Sequence, residues 1–229
     1  QREIFYEYTL YKLGFLSTMN VLTNLLLAGI MSCAFIAQAS AETYQPNVHY
    51  EILTKPVLTK NSSKVEVVDL FWYGCSHCYT FKEKLESWQK NQSDDVYFVG
   101  VPAVWQAEMR LHAKAYYSAK ALNVFDKIHS AIFDAMNLQN KKLKSESEIA
   151  DIFISHGIES KDFSKIFNSG TIEMAVDIAE KKQEKYRLRG TPEIIINGKY
   201  RISGRSAGSQ SDMLKVASFL IEKERNTSK

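Results

Sequence analysis

Cysteine is scarce in this chain, with three residues among 229. Cys33 lies in an N-terminal stretch that we expect to be removed, which leaves only Cys75 and Cys78. Two cysteines three positions apart close a loop too short to hold a fold together, because a disulfide stabilises more as its loop lengthens. The scarcity therefore excludes a disulfide-rich scaffold and favours a chemical use of the remaining pair.

The sequence also lacks a metal-ligand pattern and a large net charge of either sign. The sequence has no second CxxC and no HxxxH, whereas a structural zinc site needs four ligands. His49, His112, His129 and His156 share no ligand spacing, and we interpret all four as structural or surface residues. The formal net charge is only +3, which is too small to indicate a nucleic-acid partner. We expect neither a metal nor another bound cofactor.

The N-terminal residues have the pattern of a secretory signal. An apolar stretch runs from Val21 to Ala37 and is followed by a small-x-small cleavage site at 39–41. No Lys or Arg lies between Met19 and that stretch, so the usual positive flank is missing. We expect residues 19–41 to be a signal peptide, removed together with residues 1–18, which places the protein in the oxidising periplasm. An uncleaved membrane anchor is the alternative.

The two remaining cysteines lie between a predicted strand and a predicted helix. An apolar run over 65–72 indicates a buried strand, and apolar residues at helical spacing follow in 81–88. Free N–H groups and the helix dipole at such a junction stabilise a thiolate. A cysteine placed there has a lowered pKa and is suited to disulfide exchange. Half of a zinc site and an inert structural bridge are the alternatives.

Beyond the CxxC, the pattern predicts a second buried strand over 96–102 and then about 85 helical residues. Ser145 and Glu148 have the spacing of a capping box, and a longer helix is expected from Thr171 to Leu188. We interpret the aromatic and methionine stripes of this block as core. They include Met109, Tyr116, Ile132, Phe133, Met136, Met174, Ile178 and Tyr186.

The C-terminal part predicts a hairpin and a closing helix. Asn197-Gly198 lies between two strand-like runs, which is the signal of a type I′ turn. An amphipathic helix is expected from Ser209 to Glu224. The order along the chain is therefore strand, CxxC, helix, strand, helical block, Thr-Pro, hairpin and helix.

These motifs resemble the thioredoxin-fold, periplasmic thiol:disulfide oxidoreductases of the DsbA family. The stretch Phe71 to Tyr79 is similar to the family's CxHC motif, Gly190-Thr191-Pro192 to its cis-proline loop, and 197–200 to its hairpin. The resemblance covers nearly all of residues 44–226. It implies an α/β fold, a thioredoxin fold with an inserted helical domain.

The resemblance also implies domain boundaries. Residues 42–103 and 188–229 would form the thioredoxin-like domain, with 104–187 as the helical insertion. Pro192 lies far beyond Cys78 in the sequence, farther than a bare thioredoxin fold requires.

Three residues of the CxxC receive roles from the resemblance. Cys75 would be the sulfur that exchanges with substrates, and Cys78 the partner that closes the resting disulfide. His77 would direct a donor or a positive charge at the Cys75 thiolate and make the disulfide more oxidising. The alternative for His77 is a solvated histidine on the first turn of a helix.

Four more residues are expected at or near the sulfur pair. Thr191, Pro192 and Ser76 would contact substrate; many family members carry proline in place of Ser76 and valine in place of Thr191. Asp69 falls where the family keeps a buried acid, and its expected role is proton transfer to Cys78 or electrostatic tuning. The alternative for Asp69 is a surface carboxylate on an edge strand.

The function implied is that of an exported thiol oxidase that donates its Cys75–Cys78 disulfide to newly secreted, unfolded proteins. A DsbB-type, quinone-linked membrane oxidase would restore the disulfide, and a monomer is expected. The alternatives are a periplasmic disulfide reductase or isomerase and a non-catalytic peptide-binding chaperone. Isomerases carry an N-terminal dimerisation domain, and residues 42–74 are too few for one. Reductants place Trp directly before the first cysteine, whereas Trp72 is three positions away.

Overall fold

The computed structural model describes residues 43–227. The expected signal peptide at 19–41 and Cys33 lie outside the described residues. No helix between residues 43 and 227 is long and apolar enough to cross a membrane. The described residues follow the chain order expected of a thioredoxin fold that carries a helical insertion.

The strands of this part of the chain form one mixed sheet in the order β1-β5-β4-β2-β3. β2 is parallel to β3 and antiparallel to β4, and β5 is antiparallel to both β4 and β1. β2 is therefore an interior strand, covered on both faces, and this explains its nearly continuous apolar sequence. The strands are β1 (Glu51–Ile52), β2 (Val65–Phe71), β3 (Val96–Pro102), β4 (Glu193–Ile196) and β5 (Tyr200–Ser203).

Helices cover both faces of the sheet and fill the long connection between β3 and β4. α1 is Ser76–Lys90; the connection contains α2 (Ala107–Ala121), α3 (Phe125–Asn137), α4 (Glu146–Ser155), α5 (Ser160–Phe167) and α6 (Gly170–Lys185); α7 (Gly204–Ala207) and α8 (Gln210–Thr227) follow β5. α1 and α8 pack on one face of the sheet, and α6 packs on the other. The helices of the connection are the insertion.

Alternating residues of β2 separate the two faces of the sheet. Val65 and Val67 pack against α1 and α8, whereas Val68 and Leu70 pack against α6. At its C-terminal end β2 enters a third cluster, in which Phe71 joins the aromatic core of the insertion. The end of β2 therefore carries the CxxC directly to the contact between sheet and insertion.

Several local predictions are confirmed. β3 spans the expected residues, and Ser145 and Glu148 form a capping box in which each side chain bonds the other's backbone. Asn197 and Gly198 have φ values of 49° and 64°, as a type I′ turn requires. The register pairs Ile196 with Tyr200, so the loop has three residues instead of two. A Cβ at Gly198 would lie 1.9 Å from the Val57 carbonyl oxygen, which restricts this position to glycine.

Two predictions about α6 are wrong. The helix ends at Lys185 and not at Leu188, and Arg187 has a φ of 53°. Met174 and Ile178 were expected in the core but are 64% and 51% exposed. The helix buries a different stripe, because Ile172, Val176, Ala179 and Gln183 face the rest of the molecule.

Candidate active site

Cys75 is the N-cap residue of α1, and its sulfur accepts a hydrogen bond from the Cys78 backbone N–H at 3.3 Å. Both cysteines are free thiols. Cys75 is partly exposed, whereas Cys78, one helical turn further, is 3% exposed. One sulfur is therefore accessible to a partner molecule, and the other is enclosed.

The pKa of the Cys75 thiol is lowered to about 5. The largest cause is the hydrogen bond from the Cys78 thiol; Thr191 and the backbone N–H groups of Cys78 and His77 lower it further, and burial acts in the opposite direction. The pKa of Cys78 is raised, first by burial and then by its hydrogen bond to Cys75. At neutral pH the accessible sulfur is thus a thiolate and the enclosed sulfur a thiol.

The Thr191-Pro192 loop faces this pair. The peptide bond between the two residues is cis, as the resemblance implies. The Thr191 carbonyl oxygen lies 3.3 Å from the Cys75 sulfur. Pro192 lines a cavity together with Cys78. The structure thereby brings β4 and the start of α1 together at the sulfur pair.

His77 and Ser76 are both exposed on the first turn of α1. The backbone N–H of His77 is among the groups that lower the Cys75 pKa. Within residues 43–227 the His77 ring makes no hydrogen bond to Cys75, and the His77 carbonyl accepts one from Gln210 at 2.6 Å. The backbone of His77 thus contacts the thiolate in this structure, while its ring extends into solvent.

Asp69 lies in β2, an interior strand of the sheet, so the alternative of an edge-strand surface carboxylate is wrong. Its residue as a whole retains some exposure, but its Oδ1 atom is buried without a hydrogen-bond partner. Burial, and then the negative charge of Cys75, raises the pKa of Asp69 to about 7. A carboxyl group that titrates near neutrality therefore lies behind the sulfur pair.

A cavity of about 510 Å³ connects these buried groups. Asp69, Cys78 and Tyr116 line it, and Lys82, Glu86 and Lys120 also contribute to its wall. The Lys120 ammonium lies 3.3 Å from the Tyr116 hydroxyl. The cavity thus places charged side chains of the helices and the enclosed sulfur around one common space.

Two histidines of the insertion hold the residues before Cys75, and sequence reasoning missed both contacts. The Trp72 indole N–H donates to His112 Nδ1 at 3.0 Å, and His112 Nε2 donates to the Leu143 carbonyl at 3.1 Å. This pair of bonds requires the neutral Nε2–H tautomer, and burial lowers the pKa of His112 accordingly. A Cβ at Gly74 would lie 2.4 Å from the Trp72 ring, so the indole is held directly against the backbone preceding Cys75.

The second histidine, His129, contacts Tyr73. His129 Nδ1 lies 2.8 Å from the Tyr73 hydroxyl, and burial lowers the pKa of His129 to about 3. The Asn137 side chain donates to the Tyr73 carbonyl at 2.8 Å. The partners of Trp72 and Tyr73 are far away in sequence, and no spacing rule signals them.

Among the described residues no group of His, Cys, Asp or Glu is arranged to hold a metal ion.

Comparison with known proteins gives consistent matches. The family described as DSBA-like thioredoxin domain matches residues 96–214. The thiol:disulfide interchange protein DsbA of Pseudomonas aeruginosa is 35% identical over 208 residues, which cover 90% of this chain and 99% of that protein. DsbA of Azotobacter vinelandii is 37% identical over 177 residues, covering 77% of this chain and 83% of that protein.

Solved structures agree with the sequence matches. The crystal structure of Pseudomonas aeruginosa DsbA has a TM-score of 0.78 at 35% identity, covering 82% of this chain and 98% of that one. The oxidoreductase DsbA from Xylella fastidiosa has a TM-score of 0.74 at 30% identity, covering 80% and 100%. With an acidic, accessible Cys75 beside an enclosed Cys78, this chain belongs to the DsbA family and is a thiol:disulfide oxidoreductase.

Proposed function

We propose that this protein is an exported thiol oxidase that donates its Cys75–Cys78 disulfide to newly secreted proteins. The observation that carries the direction of the reaction is the Cys75 pKa of about 5. A stabilised thiolate favours the reduced form of the pair, and a pair whose reduced form is favoured is a strong oxidant. The low pKa also makes Cys75 a good leaving group in the last step.

The reaction proceeds in two exchanges. A substrate thiolate attacks the Cys75 sulfur, the bond between the two enzyme sulfurs breaks, and Cys78 leaves with the electron pair. A second substrate thiolate then attacks the substrate sulfur of the mixed disulfide and releases Cys75 as a thiolate. The substrate loses two electrons as its disulfide forms, and the enzyme gains them as a dithiol.

Cys78 needs a proton when it leaves, because its raised pKa makes the enclosed thiolate unfavourable. Asp69 is the proton donor in this proposal, since its pKa of about 7 allows it to carry a proton near neutrality. The cavity that both residues line would return that proton from solvent. Because the charges of Asp69 and Cys75 interact, Asp69 would also tune the electrostatics of the sulfur pair.

Substrate would bind on the exposed side of the pair. Thr191 and Pro192 face Cys75 and can align an extended chain, and Ser76 lies exposed beside the reactive sulfur. His77 is proposed to support the thiolate chiefly through its backbone N–H.

The cellular setting is also part of the proposal. Membership of the DsbA family supports the periplasm as the compartment, a signal peptide at 19–41, unfolded exported proteins as substrates, and a DsbB-type, quinone-linked membrane oxidase as the reoxidising partner. We further propose that residues 42–103 and 188–229 form the thioredoxin-like domain and that 104–187 form the insertion. The protein would act as a monomer.

The redox equilibrium of the protein with glutathione tests the direction. We expect a reduction potential more positive than about −180 mV, the value of an isomerase-type pair. A value near −270 mV, typical of thioredoxin, would reject the oxidase and favour the reductase.

Single cysteine variants test the roles of the two sulfurs. Cys78→Ala should accumulate mixed disulfides with exported proteins through Cys75, and adding Pro192→Thr should lengthen their lifetime. Cys75→Ala should form none and should lose dithiol oxidation and insulin reduction completely. Retained function in Cys75→Ala would favour the non-catalytic chaperone, and adducts formed through Cys78 would overturn the assignment of the attacked sulfur.

A further inference from the structure

A second cavity, of about 680 Å³, shares no lining residue with the one behind the sulfur pair. It lies between the extended segment 53–58 and the exposed side of α6. The Val57 N–H donates to the Gly198 carbonyl and the Leu53 N–H to the Lys199 carbonyl, so the segment is fixed along the β4–β5 turn. The groove is therefore built between ordered elements and has a defined shape.

Exposed aliphatic side chains line the groove. Leu58 is 93% exposed and Ile178 is 51% exposed, and Pro56 and Val57 lie beside them. Met174, 64% exposed, is one helical turn before Ile178 and extends the same stripe of α6. Single exposed aliphatic residues are common on proteins, whereas a contiguous set in a concave surface is typical of a binding site.

The rim of the groove is basic. Lys55, Lys181, Lys185 and Arg187 line it, and none of the four forms an ion pair within residues 43–227. Glu184 is the one acidic residue of the lining. The groove therefore combines an unbalanced positive charge with exposed aliphatic side chains.

Neighbouring charges do not neutralise this rim. Lys182 also lines the groove, but its ammonium is 3.8 Å from the buried carboxylate of Glu66. The acidic stripe of α6 faces α2, where Glu173, Asp177 and Glu180 all pair with Arg110. These carboxylates of α6 are thus directed toward Arg110 of α2, whereas the side of α6 that faces the groove is left positive.

We propose that this groove binds an extended segment of another polypeptide in which acidic side chains alternate with aliphatic ones. Aliphatic side chains would cover Leu58 and Ile178, while carboxylates would reach the basic rim. The concave shape fits a chain segment better than a flat lipid surface does. This contact is separate from the sulfur chemistry and gives the protein a second point of attachment to a partner.

Fluorescence polarisation with the purified protein tests the proposal. The probe is a fluorescein-labelled octapeptide of alternating Glu and Leu, compared with its Gln-Leu analogue. We expect the Glu-Leu peptide to bind, the Gln-Leu peptide to bind about tenfold more weakly, and binding to weaken as NaCl rises from about 50 to about 500 mM. The doubly substituted Lys181→Glu, Lys185→Glu protein should lose about tenfold in affinity, and Ile178→Asp should also weaken binding.

The matched control is the Lys161→Glu, Lys165→Glu protein. It makes the same change of charge on α5, where both lysines are exposed and unpaired among the described residues. Equal loss in this control, or equal binding of the two peptides, would show non-specific attraction and overturn the proposal. Absence of peptide binding would overturn it too. Selective binding to phosphatidylglycerol vesicles that is lost in the Lys181→Glu, Lys185→Glu protein would also overturn the proposal. The groove would then be a membrane contact.

Discussion

The surroundings of Cys75 and Cys78 differ although the two residues are one helical turn apart. Cys75 lies at the open end of α1, where hydrogen bonds from Cys78, Thr191 and backbone N–H groups lower its pKa to about 5. Cys78 faces the sheet and the cavity, where burial raises its pKa. The CxxC motif alone therefore does not set the chemistry, because the two thiols acquire opposite pKa shifts from their different surroundings.

Each region is contributed by a different part of the chain. The open side is completed by the Thr191-Pro192 loop, and the residues that lead into it are held by His112 and His129 of the insertion. The enclosed side is completed by Asp69 of β2. Substitutions in either region should therefore change one sulfur more than the other.

The largest expected effect concerns the support of the open side. His112→Phe leaves the partly buried Trp72 indole N–H and the Leu143 carbonyl without these partners, which should destabilise the fold by about 2–3 kcal/mol. Because Trp72 packs on Gly74, the N–H groups around Cys75 should lose alignment, and the Cys75 pKa should rise. Urea melts and thiolate absorbance at 240 nm as a function of pH measure the two effects.

His156→Phe is the control for this change, because His156 lies at the exposed C-terminal end of α4. The His156→Phe protein should have an unchanged Cys75 pKa. A His112→Phe protein that is less stable but keeps the Cys75 pKa of the parent would mean that the contact with Trp72 has only a structural role.

The next effect concerns the enclosed side. The Asp69 pKa is about 7 in the folded protein against about 3.9 in an unfolded chain, so the folded state holds its proton more tightly. Stability should therefore fall as pH rises from about 4 to 7, by at most about 4 kcal/mol. Asp69→Asn removes this pH-dependent loss of stability, but the new amide also lacks a hydrogen-bond partner. The net gain in the free energy of unfolding at pH 8 should therefore be about 2 kcal/mol.

Urea melts of the reduced protein at pH 8 and pH 4 check this prediction. At pH 4 the variant should show no gain, because the parent carboxyl is protonated there. Asp94→Asn, an exposed carboxylate, should change neither melt. Equal effects of Asp69→Asn at both pH values would mean that the Asp69 carboxyl has an ordinary pKa.

A smaller effect is expected from the disulfide itself. Closing the Cys75–Cys78 loop should stabilise the fold by about 2 kcal/mol. Against this, a Cys75 pKa of about 5 rather than about 8.5 stabilises the reduced fold at pH 7 by about 2.7 kcal/mol. The reduced form should therefore be more stable by about 0.7 kcal/mol at pH 7.

The sign of this difference depends on pH. The thiolate contribution is complete above the unfolded pKa of about 8.5 and is lost as pH falls through about 5. The two forms should be equally stable near pH 6.5, and at pH 4 the oxidised form should be more stable by about 2 kcal/mol. Paired urea melts of both forms at pH 7 and pH 4 measure this. An oxidised form that is the more stable at both values would contradict a strongly acidic Cys75.

The smallest effect is expected from His77. A hydrogen bond from its ring to the thiolate would be worth about 1.5–3 kcal/mol and would shift the potential by about 30–60 mV. The ring is exposed and makes no such bond among the described residues, so His77→Ser should shift the potential by less than about 15 mV. The glutathione equilibrium measures the shift. A change of 30 mV or more would assign the ring itself to the thiolate.

Sequence patterns predicted the local structure well. The strand before the CxxC, the capping box at Ser145 and the turn at Asn197-Gly198 depend on neighbouring residues, and all three are present. The placement of Cys75 at a helix N-terminus follows from the same short-range rules. These features were predictable because their physical causes lie within a few residues.

Features that depend on distant contacts were not predictable. Apolar spacing placed Met174 and Ile178 in the core, but the packing of α6 selected another stripe of that helix. His112 and His129 were interpreted as structural or surface residues, and nothing in their spacing showed that they contact Trp72 and Tyr73. Side-chain partners set by the tertiary fold leave no periodic signal in a single sequence.

The separation of Cys75 and Thr191 by 116 positions has a consequence for biogenesis. β4 pairs with β2 inside the sheet, and this pairing brings Thr191 to Cys75. Because the two residues are so far apart in sequence, their contact forms only after the insertion has been synthesised. Before β4 joins the sheet, Cys75 lacks the Thr191 hydrogen bond, which is one of the contacts that lower its pKa. The full acidity of Cys75 is thus reached only when one of the last strands of the chain has entered the sheet.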